Sequence, residues 1–291
     1  MKKGSRAFMK LVRHGKSGKE KPALIDQQGK LRDLSEHVSD INADTLSPRI
    51  LDKLSRLKTE KLPLVRGRPR LGAPISGIRN FIAIGLNYRD HALEIGAQPP
   101  NEPIIFNKAP SCIIGCNDEV ILPKESIKTD WEVEIAVVIG TKASYVSERE
   151  ALSYVAGYTL CNDISEREYQ LERSGTWTKG KGCPTFGPLG PWLVTKDEIK
   201  SVQKLSMWLD LNGERVQNGS TSSMIFSIAH IVSYVSKFMV LEPGDVITTG
   251  TPAGVGMSAK PQRFLKAGDI MRLGIDGLGE QKQVVGAWRQ T

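Results

Sequence analysis

The sequence is poor in cysteine. Only Cys112, Cys116, Cys161 and Cys183 occur in 291 residues, with no CxxC pair, so a disulfide framework is not expected and the thiols read as reduced. Long apolar runs are missing too. Nothing approaches the roughly 18 residues of a membrane helix, and Lys10 and Arg13 interrupt the basic start MKKGSRAFMKLVRHG before a signal-like stretch can form. A soluble, cytoplasmic protein with no membrane partner is expected. Met9 is a candidate natural start, which would make the first eight residues an extension. Aromatic residues do not interleave with the basic ones, so the net charge of +8 is not read as a nucleic-acid interface. That charge is local: residues 1–80 hold 19 Lys+Arg against 8 Asp+Glu, and residues 81–291 hold 21 against 24. A polyanion-binding arm is the one use this asymmetry leaves open.

What is present suffices for an ordinary core, with 40% hydrophobic and 25% charged residues over a length that suits one large or two modest domains. A proline- and arginine-rich stretch, LPLVRGRPRLGAP, reads as a linker. It divides a small N-terminal domain, 1–75, from the remainder, 76–291. The first part carries a helix candidate from Ser47 to Leu57 with Pro48 at its first position. Beyond Arg79 come short β-rich runs, namely NFIAIGL, EPIIFNK, EVILP, WEVEIAVVIG, PWLVT, SMWLDLNGE, DVITTG and IMRLGI, mostly punctuated by Gly, Pro, Asn or Asp. Three helices are expected among them. One follows a Ser147/Glu150 capping box and ends at Gly157, a second is capped by Asp163, and a third spans about Met224 to Phe238. Strands and helices do not alternate regularly, which excludes a doubly wound parallel sheet and favours a mixed, mostly β, α+β core.

Four stretches carry candidate chemistry. In Trp131-Glu132-Val133-Glu134-Ile135 the glutamates are two apart in a strand and share a face. They form either a solvated face or a site for a hard cation that would relieve their repulsion. Asp163, Arg167 and Gln170 fall at i, i+4 and i+7, one helix face, where Asp163 could complete a three-carboxylate site. The alternative is an N-cap followed by a surface Arg–Glu face. His91 and Glu94 lie one helical turn apart, a general-base dyad in form or a surface pair. His14, His37 and His230 have no such partner and read as structural. The loop Thr248-Thr249-Gly250-Thr251-Pro252-Ala253-Gly254-Val255-Gly256 lacks the Gly-Lys-Ser/Thr ending of a nucleotide loop. It is expected to hold a carboxylate or enolate by backbone N–H groups and Thr251.

Taken in order, NYRDHALE, FNKAPS, DWEVEIAVVIG, GYTLCNDISER, KGKG, FGPLGPW, GDVITTGTPAGVG and GLGEQ resemble the fumarylacetoacetate hydrolase family from about Asn80 to Gly286. PRLGAPI resembles the end of the small leading domain of its bacterial members. The resemblance implies a mixed β-roll, sandwich-like catalytic domain with a few helices, usually in a homodimer or higher homo-oligomer. It implies one Mg²⁺ or Mn²⁺ on Glu132, Glu134 and Asp163, and a catalytic His91–Glu94 dyad on a short lid-like helix. Arg167, Gln170 and Lys181 become the oxyanion-stabilising set. Thr251 becomes the contact to the substrate carboxylate, with Tyr88 and Lys108 as further substrate-binding candidates. One departure stands out: many relatives have Asp where this chain has Pro184, which removes a carboxylate and a backbone donor from the lysine loop.

The implied activity is hydrolysis of the C3–C4 bond of an acylpyruvate, a 2,4-dioxo acid, to pyruvate and a carboxylic acid. The nearest likeness is to enzymes of 2,4-diketo-3-deoxy-L-rhamnonate or fuconate type. Oxaloacetate decarboxylation, and decarboxylation or isomerisation of homoprotocatechuate-derived dioates, are the alternatives through the same enolate. Ureidoglycolate lysis and an inactive binding protein rank below them.

Overall fold

The computed structural model describes residues 9–290. The extension proposed before Met9 lies outside the described residues. All eight β-rich runs form strands. Phe81–Gly85, Ile104–Lys108, Val133–Ile139, Leu193–Thr195 and Val246–Thr248 enter one large mixed sheet, while Ser206–Leu211, Ile270–Ile275 and Val120–Ile121 enter a smaller one. The fold is α+β, with few and short helices.

Topology concentrates chemistry at one end of the large sheet. Val133–Ile139 lies near its middle, antiparallel to both Val155–Asn162 and Val246–Thr248. Val246–Thr248 in turn runs parallel to Phe81–Gly85. The start of the first strand therefore lies beside the ends of the other three. Glu132 and Glu134, Asp163, the loop after Thr248 and the helix Arg89–Glu94 all gather there.

The apolar positions of these strands are buried, including Phe81, Ile82, Val133, Ile135, Leu160 and Val246, and they pack against Met207, Leu209, Met271 and Leu273 of the smaller sheet. Buried amides fasten the two sheets together. Gln217 accepts from the Val133 N–H at 2.9 Å and donates to Thr251 Oγ1 at 2.9 Å, and Gln281 donates to Leu160 O at 2.9 Å. Each satisfies backbone or hydroxyl groups that burial would otherwise leave unpaired.

The N-terminal strands continue the large sheet, because Lys10–His14 pairs antiparallel with Leu193–Thr195, and hydrogen bonding thus crosses position 75. Part of the local basic charge is engaged internally. Arg13 meets Asp40 at 2.7 Å, Arg32 meets Asp26 at 2.7 Å, and Arg70 bridges Glu20 at 2.8 Å and Asp118 at 2.5 Å. The helix expected after Ser47 spans Pro48–Ser55, and Pro48 does open it. Among the described residues the four cysteines are free, three of them buried.

Two helix expectations are corrected. The helix after Ser147 covers only Glu148–Ala151 and a further turn, and Val155–Asn162 is a strand. Gly157 does not stop a helix. A Cβ there would sit 2.1 Å from Val194 O, so glycine is required for close strand approach. Asp163 caps no helix: it ends the strand, and its carboxylate is taken by two lysines. The helical turn that follows is a wide one, Glu168–Glu172. The third helix is Ile228–Val235, capped by Ser227 Oγ accepting from His230 N–H. His230 does find a partner, Glu148, at 3.1 Å.

Among the described residues no helix is long and apolar enough to cross a membrane.

Candidate active site

Glu132, Glu134 and Asp163 form the one group of three potential ligand residues among those described whose donor atoms all lie within 4.8 Å of one another. Glu132 is 6% exposed and Glu134 1%, which excludes the solvated-face reading of the strand glutamates. Three carboxylates at such spacing in a buried setting repel strongly. Two lysines and an arginine offset part of that charge. Lys181 Nζ lies 2.7 Å from both Glu132 and Asp163, Lys108 Nζ 2.5 Å from Asp163, and Arg167 Nη2 2.7 Å from Glu132.

The compensation is uneven. Burial pushes the Glu132 carboxyl up, but Lys181 and Arg167 outweigh it and hold the group well below the usual range. Among the described residues Glu134 has no cation of its own. Burial, then Asp163 and Glu132, push it well above the usual range, against weaker help from Lys181 and from the Gly250 N–H at 2.8 Å. The cluster is therefore short of positive charge at Glu134, and its all-oxygen donor set fits a hard divalent cation.

His91 lines the same cavity as Glu132, Glu134, Arg167, Gln170 and Lys181, a cavity of about 90 Å³. Its Nδ1 lies 3.2 Å from Glu94 Oε2, and the other Glu94 oxygen accepts from the Gly254 N–H at 2.9 Å. The dyad is thus held from both sides, leaving Nε2 for the cavity. Arg167 Nη1 donates to Gln170 Oε1 at 3.0 Å, which turns the Gln170 amide so that its NH₂ remains a free donor. Lys181 reaches the cluster from the short helix Thr178–Lys181. Gly180 permits that approach, since a Cβ there would meet Glu166 O at 2.4 Å. Pro184 does not disturb it. It occupies the second position of a turn closed by Phe186 N–H to Cys183 O at 3.1 Å, with Thr185 at φ +69°, where proline fits and its missing donor is not needed.

Of the three expected substrate contacts, Tyr88 and Lys108 lie off the cavity and Thr251 lines it. Tyr88 is fully buried away from the cavity, its hydroxyl 3.1 Å from Met207 Sδ. Lys108 is also buried behind the site, where it donates to Lys181 O at 2.5 Å and Ile164 O at 3.2 Å besides pairing with Asp163. Thr251 lines the cavity, but its hydroxyl donates to Val133 O and accepts from Gln217, both at 2.9 Å. The glycine-threonine loop does hold carboxylates by backbone N–H groups. They are the chain's own: Gly250 binds Glu134, Gly254 binds Glu94, and Gly256 and Met257 bind Asp130.

Asp130 was not among the expected residues. It is fully buried and accepts from Arg167 Nε at 2.9 Å, from Gly256 N–H at 2.7 Å and from Met257 N–H at 3.0 Å. The available signal was its parity with Glu132 and Glu134 in the run DWEVE. Asp130→Ala leaves a buried guanidinium short of one partner, a change that costs about 3–5 kcal/mol when such a pair is broken. Denaturant unfolding should show a loss of that order, and an unchanged midpoint would refute the role.

The family model described as fumarylacetoacetate hydrolase C-terminal matches residues 80–286. The chain belongs to this family. A Burkholderia ambifaria protein bearing the name of a hydrolase is 56% identical over 276 residues, covering 94% of this chain and 98% of the relative. The 5-carboxymethyl-2-hydroxymuconate delta-isomerase of Mycobacterium smegmatis superposes with a TM-score of 0.75 at 30% identity, covering 97% of this chain and 100% of that one. The fumarylpyruvate hydrolase of Pseudomonas aeruginosa, solved with Mn²⁺ and pyruvate, gives a TM-score of 0.67 at 28% identity, covering 77% of this chain and 93% of that one. The chain is an enzyme of the fumarylacetoacetate hydrolase family, whose buried acidic triad could hold a metal ion.

Proposed function

We propose that this enzyme hydrolyses the C3–C4 bond of an acylpyruvate, releasing pyruvate and a carboxylic acid, with one Mg²⁺ or Mn²⁺ on Glu132, Glu134 and Asp163. The observation that carries the reading is that Glu132 and Glu134 of the carboxylate cluster and the Glu94-oriented His91 face one cavity. A divalent ion, when bound, supplies Lewis-acid charge to the oxygens of the 2-oxo acid end. His91 Nε2 takes a proton from a water as that water's oxygen attacks the C4 carbonyl. The free NH₂ of Gln170, with the Arg167 and Lys181 side chains, stabilises the oxyanion that develops on C4. When the C3–C4 bond breaks, its electron pair passes to the pyruvate fragment as an enolate. The proton held by His91 then goes to C3.

A second reading draws on the likeness to the delta-isomerase: isomerisation of an unsaturated dioate uses the same enolate without attack of water. The deciding measurement is pyruvate release from acetylpyruvate and from a 2,4-diketo-3-deoxy sugar acid, with Mg²⁺, Mn²⁺ or EDTA present. Metal-dependent release from at least one of the two acids, abolished by EDTA, is expected. If neither acid is cleaved while oxaloacetate still loses CO₂, the hydrolase reading fails.

A further inference from the structure

Resting on that reading, we infer that the acyl tail beyond C4 is apolar and that the substrate carries no second carboxylate. Arg167 and Lys181 are the only cations among the described residues lining the cavity, and both are paired with carboxylates of the cluster at 2.7 Å. Gln170 is tied to Arg167, the Thr251 hydroxyl is engaged on both sides, and His91 is held by Glu94. Apart from the Trp177 indole N–H, every polar side chain of the wall thus belongs to the reacting end. The remaining lining is apolar surface, chiefly of Leu86, Ile95, Phe106, Trp177 and Met257, all half-buried.

The backbone is shaped to present them. A Cβ on Gly85 would lie 2.2 Å from the Trp177 ring, so glycine makes the seat for that indole. Trp177 packs edge-on against Phe106, with ring centroids 5.1 Å apart. Leu86 is held at φ +51°, a left-handed conformation that a bulky side chain rarely adopts, and its side chain forms part of the wall. A second carboxylate against this wall would lose its hydration with no cation to receive it. An alkyl or aryl tail would instead bury apolar surface there. The inference therefore weighs against the dioate isomerase reading.

The test is titration calorimetry of the whole protein in Mg²⁺ with 2-oxo acids that have no C4 carbonyl to attack. Pyruvate is the reference, 2-oxopentanoate and phenylpyruvate carry apolar tails, and 2-oxoglutarate matches 2-oxopentanoate in length but ends in a carboxylate. Both apolar acids should bind more tightly than 2-oxoglutarate, by about tenfold or more. Trp177→Ala should shrink the phenylpyruvate-to-pyruvate affinity ratio. If pyruvate binds and 2-oxoglutarate equals or exceeds 2-oxopentanoate, the tail assignment is overturned while the proposed reaction stands. An unchanged ratio in folded Trp177→Ala likewise overturns it. If no 2-oxo acid binds, both readings fall together.

Discussion

Glu134→Gln should abolish turnover and the stabilisation of the protein by Mn²⁺, while leaving the metal-free protein at least as stable as the wild type. The two halves of this expectation come from the same charge imbalance. Lys181 and Arg167 are committed to Glu132 and Asp163 within 2.7 Å, whereas Glu134 receives only a backbone N–H. Removing its charge strands no cation and relieves repulsion in the cluster of the metal-free protein, and a glutamine oxygen can still accept from Gly250. Losing a partner behind a metal ligand costs about 10–100-fold in affinity or activity, so losing a ligand itself should exceed about a hundredfold. Glu132→Gln provides the contrast. It leaves Lys181 and Arg167 each short of a buried counter-charge and should lower stability even without metal. Calorimetric Mn²⁺ titration and thermal unfolding with and without Mn²⁺ measure both effects. Wild-type Mn²⁺ affinity in Glu134→Gln would refute the triad as the cation site.

Much of this site was legible because its spacings are local. The alternation in WEVEI placed both glutamates on one face, and a single helical turn brought His91 to Glu94. The strands were legible for the same reason: β-rich runs ended by turn residues need no tertiary information. Asp163 shows how a residue can be found through faulty geometry. The spacing suggests a helix face joining it to Arg167 and Gln170, yet a strand end and a wide helical turn bring them together. The capping pattern lost to tertiary charge, because the Asp163 carboxylate is held by Lys108 and Lys181.

Long-range satisfaction was not legible at all. Gln217 joins Val133 to Thr251 from the other sheet, and nothing near it in the chain signals that role. The glycine-threonine loop was expected to present its amides to a substrate. They hold Glu134, Glu94 and Asp130 instead, so the loop builds the site more than it touches a ligand. Tyr88 and Lys108 fall in the same class, chemistry-bearing residues inside diagnostic motifs that support the site from behind.

His91→Ala should lower acylpyruvate hydrolysis by about 10²–10⁴-fold, the usual worth of a positioned general base, with little change in Mn²⁺ binding. The imidazole touches none of the three carboxylate ligands by hydrogen bond; its side-chain partner is Glu94, whose other oxygen stays anchored by Gly254. Cation binding and 2-oxo acid binding should therefore survive, and the loss should appear in kcat more than in KM. Glu94→Gln should also lower hydrolysis, because an amide has one acceptor oxygen for the two N–H donors of His91 and Gly254 and no charge to stabilise a protonated ring. The variant also separates the reactions that share an enolate. Decarboxylation of oxaloacetate breaks a C–C bond without adding water, so a decarboxylase built on the same triad would keep its rate in His91→Ala. Loss of hydrolysis with retained Mn²⁺ and pyruvate binding would assign the water-activating step to the dyad. Hydrolysis at the wild-type rate would remove His91 from the mechanism and leave the enolate half of the site, Glu132, Glu134, Asp163 and Lys181, as its working core.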